Sequence, residues 1–349
     1  MGILKRTAKA ATAVVGLDID PGHVAAVEVH VNGAIDVTNG VVASLRPGVL
    51  RDGDVADVPA LTAALRDLWA EHELPRRVRV GVANQRIVVR TLDLPVLDDP
   101  SALAAAVRVE APDHIPMPMD EAVLDFQSLG IVDTAAGPRA RVVVVAVRRE
   151  LVERLHEACA GAGLEVEGID LSAFAMVRAL HRPAGGHATL YVNVAGLLNV
   201  AVANEVGCLF TRAAPGGLEA IAATLADRRG LTFEHARGWM KHVGLVAPLD
   251  EVEGDAEVVA ATRQVLEEGV HQVGDTVRNS LNFYRMQESA ETVETAVLTG
   301  PAVAIPGFAD RLAAQLGMPV EPTLVTSTVE GLELGHLTVA AGLAVESTP

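Results

Sequence analysis

The stretch Ala13–Val29 reads AVVGLDIDPGHVAAVEV and contains the pattern on which the fold prediction rests. Apolar and β-branched residues predominate on both sides of a tight Asp20-Pro21-Gly22 turn. Apolar runs that are interrupted by proline, glycine and aspartate are typical of a β-hairpin. The sequence therefore predicts a strand, a polar turn and a second strand at the start of the chain, with a further strand near 40–43.

The same order of elements returns at the start of the second half of the chain. Strands are predicted over 189–194, 198–203 and 206–212, and a helix is predicted to follow from Gly217. The first turn of this half lies in Asn193–Leu198, NVAGLL, and again places a polar side chain and a glycine between apolar strands. We interpret this repetition as a weak internal duplication of one α/β unit.

Size and composition limit the class of protein. The 349 residues exceed what one compact core usually holds, so two or more domains are expected. The longest purely apolar runs, such as 142–147, are far shorter than the ~20 residues of a membrane-spanning helix, and the basic start MGILKRTAKA lacks the apolar core of a secretory signal. We therefore expect a soluble protein. A net charge of −17 opposes binding to a phosphate backbone, which argues against nucleic acid as a partner.

Other common catalytic patterns are not found in the sequence. The chain contains neither a G-x-x-x-x-G-K-[ST] phosphate loop nor a His-Glu-x-x-His zinc motif. Gly161-Ala162-Gly163 follows a predicted helix and is better interpreted as the end of that helix than as a dinucleotide loop. Two cysteines, Cys159 and Cys208, are too few for a disulfide framework or a cysteine metal cluster.

Three further stretches carry a resemblance to a known family. Residues 103–126 read LAAAVRVEAPDHIPMPMDEAVLDF, in which an Ile-Pro-x-Pro loop joins a helix with an acidic end to an acidic-apolar strand. Residues 146–175 read AVRRELVERLHEACAGAGLEVEGIDLSAFA, and residues 280–285 read SLNFYR. Together with the duplicated strands, these stretches resemble the PilM family of type IV pilus assembly proteins, in the same order over about residues 13–345.

The resemblance implies an α/β fold of the actin-like ATPase type, in which a ribonuclease H-like unit is duplicated in two domains and an FtsA-like small subdomain is inserted. The implied first subdomain comprises 13–85 and 165–185 with the C-terminal helix 336–349, and the implied inserted subdomain comprises 86–164. The implied second core subdomain comprises 186–230 and 291–335, and the helical subdomain comprises 231–290. Pro183–Gly186 marks the boundary between the two halves.

The resemblance also implies where a nucleotide site would lie. In this superfamily the first turn binds the nucleotide phosphates, and its aspartate orients the metal. Asp18 keeps that carboxylate and is the implied metal ligand, while Gly22 keeps the flexibility of the turn. Asp20 adds a second negative charge where phosphate would lie, Pro21 lacks an N–H donor, and His23 replaces a small hydroxyl residue.

The other implied nucleotide turns also depart from the family pattern. Asn193 replaces an aspartate and is a poorer ligand for Mg²⁺, and Leu197 and Leu198 replace hydroxyl residues. The candidate cofactor-binding residues are Asp18, Asp20, Gly22, His23, Asn193, Gly196, Gly216, Gly217 and Gly300. The sequence leaves the binding of ATP and Mg²⁺ open, whereas three turns that lose donors or ligands argue against ATP hydrolysis.

The resemblance implies an assembly platform in the cytoplasm, at the inner face of the cytoplasmic membrane. Its implied partners are the short cytoplasmic tail of an inner-membrane protein resembling PilN and other pilus assembly proteins. In the family the tail lies in a groove between the inserted subdomain and the first domain, here between strands near 14–29 and region 86–130. Two alternatives stay open: an active ATPase or kinase on the same fold, and an FtsA-like membrane-associated polymer, for which the C-terminal stretch 342–349 is too short an anchor.

Overall fold

The computed structural model describes residues 14–135, 137–181, 187–287 and 290–345. The basic N-terminal stretch, the predicted boundary at Pro183–Gly186 and the last four residues of the predicted C-terminal helix lie outside these ranges. Within them the chain forms two mixed α/β halves, each built on its own sheet, and a small sheet inserted into the first half.

The first half opens on the predicted hairpin. Strand β1 (Val15–Asp20) pairs antiparallel with β2 (His23–Val31), and Asp20 lies opposite His23 across the turn. Every residue of β1 is buried because strands flank it on both sides. The elements that follow are β3 (Ile35–Ser44), β4 (Leu50–Arg51), β5 (Asp54–Val55), α1 (Val58–Glu71) and β6 (Arg77–Val82).

The insertion follows β6 and has a core of its own. Its elements are β7 (Val88–Pro95), α2 (Pro100–His114), β8 (Ala122–Thr134) and β9 (Gly137–Arg148), and its antiparallel sheet has the order β7-β9-β8. Helix α2 packs Val107 and Ala111 against this sheet. Ile115 and Met117 of the Ile-Pro-x-Pro loop, and Met119 directly after it, contribute to the same core. The stretch that carries the resemblance therefore packs on the inserted sheet.

The chain then returns to the first sheet through α3 (Arg149–Gly161), β10 (Glu165–Leu171) and α4 (Ser172–Leu180). Helix α3 packs on α1: the Thr62 hydroxyl donates to the Ala158 carbonyl, and Leu155 and Cys159 are buried in the core under the first sheet. The boundary expected at residue 164 assigns α3 to the insertion, whereas its packing joins it to the first sheet.

The second half repeats the plan of the first. Its elements are β11 (Ala188–Val194), β12 (Leu198–Ala203), β13 (Cys208–Ala214), α5 (Leu218–Arg229), α6 (Phe233–Val243), α7 (Ala256–Arg285), β14 (Val293–Thr299), α8 (Phe308–Leu316), β15 (Val320–Pro322), β16 (Thr326–Ser327) and α9 (Thr338–Ala344), with short 3₁₀ turns at Leu249–Glu251, Pro301–Ala304 and Leu334–His336. The predicted helical region 231–290 is two helices, because Gly244 takes a positive φ of 52° where α6 ends.

The two large sheets share one strand order, which is the structural form of the predicted duplication. The first sheet runs β3-β2-β1-β6-β10, with β16 added beyond β3, and the second runs β13-β12-β11-β14-β15, so each places three antiparallel strands beside two parallel ones. Helix α9 lies against β1 so closely that a Cβ added at Gly16 would overlap the Ala340 carbonyl oxygen. No helix in the described ranges is long and apolar enough to span a bilayer.

Candidate functional site

Four polar turns meet where the first and second sheets face each other. The first turn (residues 20–23) joins β1 to β2, and the second turn (residues 195–197) joins β11 to β12. A third turn, Gly216–Gly217, precedes α5, and the fourth lies at Gly300 after β14. A Cβ added at Gly217 would overlap the Ala195 carbonyl oxygen, and one at Gly300 would overlap Asn193 Oδ1. The turns are therefore in close contact.

The carboxylate of Asp20 bridges the first and second turns. Its Oδ2 accepts a hydrogen bond from the Leu197 N–H at 3.2 Å, and its Oδ1 lies 3.4 Å from the Gly22 nitrogen. A Cβ added at Gly196 would overlap Asp20 Oδ1, so the second turn has room for this carboxylate only because residue 196 is glycine. Asp20 thus engages an N–H of the turn that a bound phosphate would need.

Burial sets the charge state of this carboxylate. The Asp20 side chain is 6% exposed, and burial raises its pKa to about 6 against the opposing effects of the Leu197 and Gly22 N–H groups and the Arg237 guanidinium. The carboxylate is therefore mostly ionised at neutral pH. A second anion, such as a phosphate, would meet this buried negative charge directly.

Asp18, the predicted metal ligand, is held in a different charge state. Burial, with the nearby Asp20 carboxylate, raises the pKa of Asp18 to about 8, although the Ser172 hydroxyl hydrogen bond opposes the shift. The Asp18 carboxyl group is therefore mostly protonated at neutral pH. A protonated carboxyl is a poor ligand for a hard cation such as Mg²⁺. The described residues form no group of three or more His, Cys, Asp or Glu side chains arranged around a metal position.

His23 faces a second histidine that the sequence did not indicate. The His23 and His336 rings lie 4.3 Å apart between centroids in an edge-on arrangement, and His23 Nδ1 is 3.6 Å from Asp20 Oδ1. Burial lowers the pKa of both histidines to about 3, so both rings are neutral at physiological pH. A neutral pair offers no positive charge to a phosphate group.

Two helices of the second half enclose the first turn from the other side. Arg237 on α6 donates to Glu219 Oε2 at 2.6 Å and to the Gly22 carbonyl oxygen at 3.4 Å. A Cβ added at Gly22 would overlap the Glu219 side chain, so this position also requires glycine. Arg237 is thereby neutralised by Glu219 and is committed to a contact within the chain.

The structure brings the predicted site residues together at the four turns. Asp18, Asp20, His23 and Asn193 are all buried there. Gly216 lies in the third turn, where a Cβ would meet open space, and its positive φ of 89° serves the shape of the turn. Sequence reasoning missed Glu219, Arg237 and His336, since no local pattern marks residues that contact the first turn from so far along the chain.

A cavity of about 550 Å³ adjoins the first turn on the side of α6. His23, Arg237 and His336 contribute to its wall, and the Lys241–Glu333 ion pair, 2.8 Å long, lies at its rim. Its volume is within the usual range for small-molecule pockets. The cavity has room for a nucleoside, but the donors expected for the phosphates are already engaged by Asp20. The residues present therefore fit a nucleoside better than Mg–ATP.

A separate groove of about 300 Å³, here called the insertion groove, lies between residues 51–56 and the start of α3. Arg86 pairs with Asp54 across it, and Arg154 pairs with Glu150 and donates to the Val55 carbonyl oxygen. The resemblance implies a groove between strands near 14–29 and region 86–130; of these residues, Arg86 alone lines this groove. Its wall on the first half is formed by residues 51–56, not by the strands of 14–29.

Comparison with known proteins places this geometry in a family. The family model for the type IV pilus assembly protein PilM matches residues 16–348. A solved PilM–PilN type IV pilus biogenesis complex is 25% identical, with 95% of this chain and 98% of that chain covered and a TM-score of 0.75.

Two further solved structures share the fold at lower identity. The ethanolamine utilization protein EutJ from Carboxydothermus hydrogenoformans is 18% identical over 96% of this chain and 89% of its own, with a TM-score of 0.55. MreB 5 of Spiroplasma citri bound to AMPPNP is 11% identical over 95% of each chain, with a TM-score of 0.54. These likenesses confirm the predicted actin-like α/β fold. With the family model matching nearly its whole length, the chain belongs to the PilM family of type IV pilus assembly proteins.

Proposed function

We propose that this chain is a non-enzymatic assembly platform for type IV pilus biogenesis that binds the cytoplasmic tail of an inner-membrane PilN-like protein. The family match over residues 16–348 is the observation that carries the proposal. The similar structure in which PilM is in complex with PilN supports the choice of partner. In this proposal the protein works in the cytoplasm at the inner face of the cytoplasmic membrane, where its partner and other pilus assembly proteins hold it.

The subdomain division is part of the proposal. The separate cores of the first, second and inserted sheets support a division into several units. The proposed units are 13–85 with 165–185 and the C-terminal helix 336–349, the FtsA-like insertion 86–164, the second core 186–230 with 291–335, and the helical unit 231–290. The packing of α9 on β1 is consistent with placing the C-terminal helix in the first unit.

The contacts at the first turn support a platform over an ATPase. A functional nucleotide site needs free N–H donors for phosphate and an ionised carboxylate for the metal. Here Asp20 engages the Leu197 N–H, and the pKa of Asp18 is raised to about 8. The proposed cofactor-binding residues, Asp18 as metal ligand among them, thus form a degenerate site. Nucleotide binding without hydrolysis is a second candidate, which the 550 Å³ cavity beside His23 favours.

We place the PilN-like tail in the insertion groove. The groove lies between the inserted unit and the first unit, and Arg51 and Arg148 line it without an ion pair in the described part of the chain. Its residues Arg51 and Asp52 are exposed, so the groove is open to solvent. Residue Ala56 lies at its exposed rim, where a larger side chain would obstruct entry without disturbing a buried core.

The test is to measure binding of a labelled synthetic peptide with the cytoplasmic residues of the PilN-like protein from the same genome. Wild-type chain is expected to bind it, and Ala56→Trp is expected to reduce the affinity at least about tenfold, because about 1.4 kcal/mol of lost contact is tenfold in Kd. Ala70→Trp, at an exposed position of α1 outside the groove, is the matched control and should bind as the wild type does. Equal affinity of the two tryptophan variants would place the tail elsewhere.

A further inference from the structure

A third groove, distinct from the turns and from the insertion groove, lies on another side of the inserted sheet. This edge groove, about 1260 Å³ in volume, lies between the inserted sheet and the second sheet. Residues 87–91 of the β7 side form one wall, residues 209–212 of β13 form the other, and Phe283 of α7 borders it. It shares no lining residue with the insertion groove or with the cavity beside His23.

Both walls of the edge groove are edge strands. Strand β7 is the outer strand of the order β7-β9-β8, and β13 is the outer strand of the second sheet. Among the strands that the structure describes, each pairs on one side alone. Edge strands carry unpaired N–H and C=O groups that readily accept an added strand. The groove therefore presents two rows of backbone groups to an extended segment.

The side chains around the groove carry uncompensated positive charge. Arg141 is neutralised by Asp93, with two hydrogen bonds of 2.7 and 2.8 Å. Arg90 and Arg212 are exposed, and neither forms an ion pair within the described ranges; Arg90 donates to the Val89 carbonyl oxygen. The net charge of the chain is −17, so these two arginines give the groove a local charge opposite in sign to that of the whole chain. Carboxylates are the complementary groups.

An aromatic pair adds an apolar contact to the charged rim. Phe283 is 49% exposed, and its ring centroid lies 6.0 Å from that of Phe210, which is 8% exposed. An exposed aromatic side chain that rests on a buried one forms a firm apolar surface, because the lower ring fixes the upper one. A partner side chain of similar size would bury the exposed face of Phe283.

We propose that the edge groove is a second docking surface, which binds an extended acidic segment of a partner protein. Carboxylates of the segment would meet Arg90 and Arg212, an apolar side chain would cover Phe283, and its backbone would pair with an edge strand. The inference concerns a different groove from the one assigned to the PilN-like tail. Failure of the insertion groove to bind the PilN-like tail would therefore leave this second surface unaffected.

The experiment uses the full chain and a fluorescein-labelled octapeptide of alternating glutamate and leucine as the probe. The double variant Arg90→Glu with Arg212→Glu is expected to weaken binding at least about tenfold, and Phe283→Ser to weaken it by a smaller factor. Arg311→Glu, an exposed charge reversal on α8, is the matched control and is expected to bind the peptide as the wild type does. A peptide with proline in place of leucine should bind weakly, because proline offers no N–H to an edge strand.

Three results would overturn the proposal. One is equal binding of an alternating lysine and leucine peptide, and another is an unchanged affinity of the arginine double variant. The third is binding of phosphatidylglycerol vesicles through the same two arginines, which would make the surface a membrane contact. The PilN-like tail peptide is measured on the same double variant, and its unchanged affinity separates the edge groove from the insertion groove.

Discussion

The meeting point of the four turns and the edge groove both lie between two sheets. The charged side chains are paired within the chain at the turns, whereas two arginines in the edge groove have no ion-pair partner in the described ranges. At the turns, Asp20 accepts from the Leu197 N–H, and Arg237 is paired with Glu219. In the edge groove, Arg90 and Arg212 are exposed without an ion pair in the described ranges. A buried group with an internal partner must lose that partner before it binds a ligand, whereas an unpaired group pays no such cost.

The polar groups that are available to a ligand therefore need not lie where the family resemblance implies a nucleotide site. At the turns, a carboxylate of the chain itself accepts a hydrogen bond from the Leu197 N–H. The positions that remain free for a partner lie beside the inserted sheet, around the insertion groove and the edge groove. Three variants test whether the turns are filled and closed in this way.

The largest effect is expected for Gly196→Ala. The added Cβ would overlap Asp20 Oδ1, so it must displace a buried carboxylate from the Leu197 N–H, and we expect a loss of about 3 kcal/mol in the free energy of unfolding. Urea denaturation measures it. Gly238→Ala is the matched control, since nothing lies within 4 Å of a Cβ on this residue of α6 and alanine favours helix.

A double variant shows whether the cost arises at Asp20. With Asp20→Ala already present, Gly196→Ala should cost much less, because the carboxylate that it displaces is gone. Additive losses in the two variants would mean that the overlap is relieved elsewhere, and that Asp20 does not hold the turns together.

The second effect is a fall in stability as the pH rises from 6.5 to 8. Asp18 has a pKa of about 8 in the fold and 3.8 as an ordinary carboxyl, so the folded chain keeps a proton that the unfolded chain has released. Stability from this group is complete below pH 3.8 and is lost as the pH rises through 8. Asp20, with a pKa of about 6, adds a little to this loss. His23 and His336, which in the unfolded chain still carry protons near their ordinary pKa of 6.5, offset part of it. We therefore expect a loss of about 1 to 2 kcal/mol across this window.

Asp18→Asn is the variant that checks the origin of this pH dependence. The amide does not ionise, so the free energy of unfolding should no longer fall between pH 6.5 and 8 in thermal or urea denaturation. Asp227→Asn, at an exposed position near the end of α5, should keep the slope of the wild type. A slope that survives in Asp18→Asn would assign the titration to another group.

The smallest effect is expected in anion binding. Asp20→Ala removes a buried charge and frees the Leu197 N–H, so inorganic pyrophosphate should bind at least about tenfold more tightly than to the wild type. Isothermal titration calorimetry measures it, and Asp227→Ala serves as the control. Hydrolysis of ATP by the wild type, abolished by Asp18→Asn, would contradict the platform and favour an active ATPase.

The local sequence pattern predicted which helices and strands form, but it placed some of their first and last residues incorrectly. The hairpin of 13–29 and the apolar face of α1 were predicted because alternation and helical spacing are properties of neighbouring residues. The strand expected at 206–212 is Cys208–Ala214, since the Asn204 side chain accepts from the Val206 and Gly207 N–H groups and extends the turn. Helix α2 runs to His114, directly before the Ile-Pro-x-Pro loop that was predicted to follow it.

The sequence indicated which residues lie at the candidate site, but it did not indicate which groups they contact. The family pattern predicts that Asp20 places a negative charge where a phosphate would lie. It did not indicate that this charge would bond to Leu197, 177 residues away, or that Arg237 would close the turn from α6. The pKa shifts of Asp18 and His23 also depend on burial, which no spacing in the sequence reports.

The strand–turn–strand units, their repetition and the resemblance to the family can be recognised from the sequence alone, because they depend on residue order and on short-range hydrophobic pattern. Which polar groups lack a hydrogen-bond or ion-pair partner depends instead on the tertiary structure. Whether Asp20 or Arg212 has a partner depends on side chains brought together from distant parts of the chain, and on the water that packing removes around them. A charged side chain therefore forms an internal bond at the first turn, whereas another stays exposed at the edge groove.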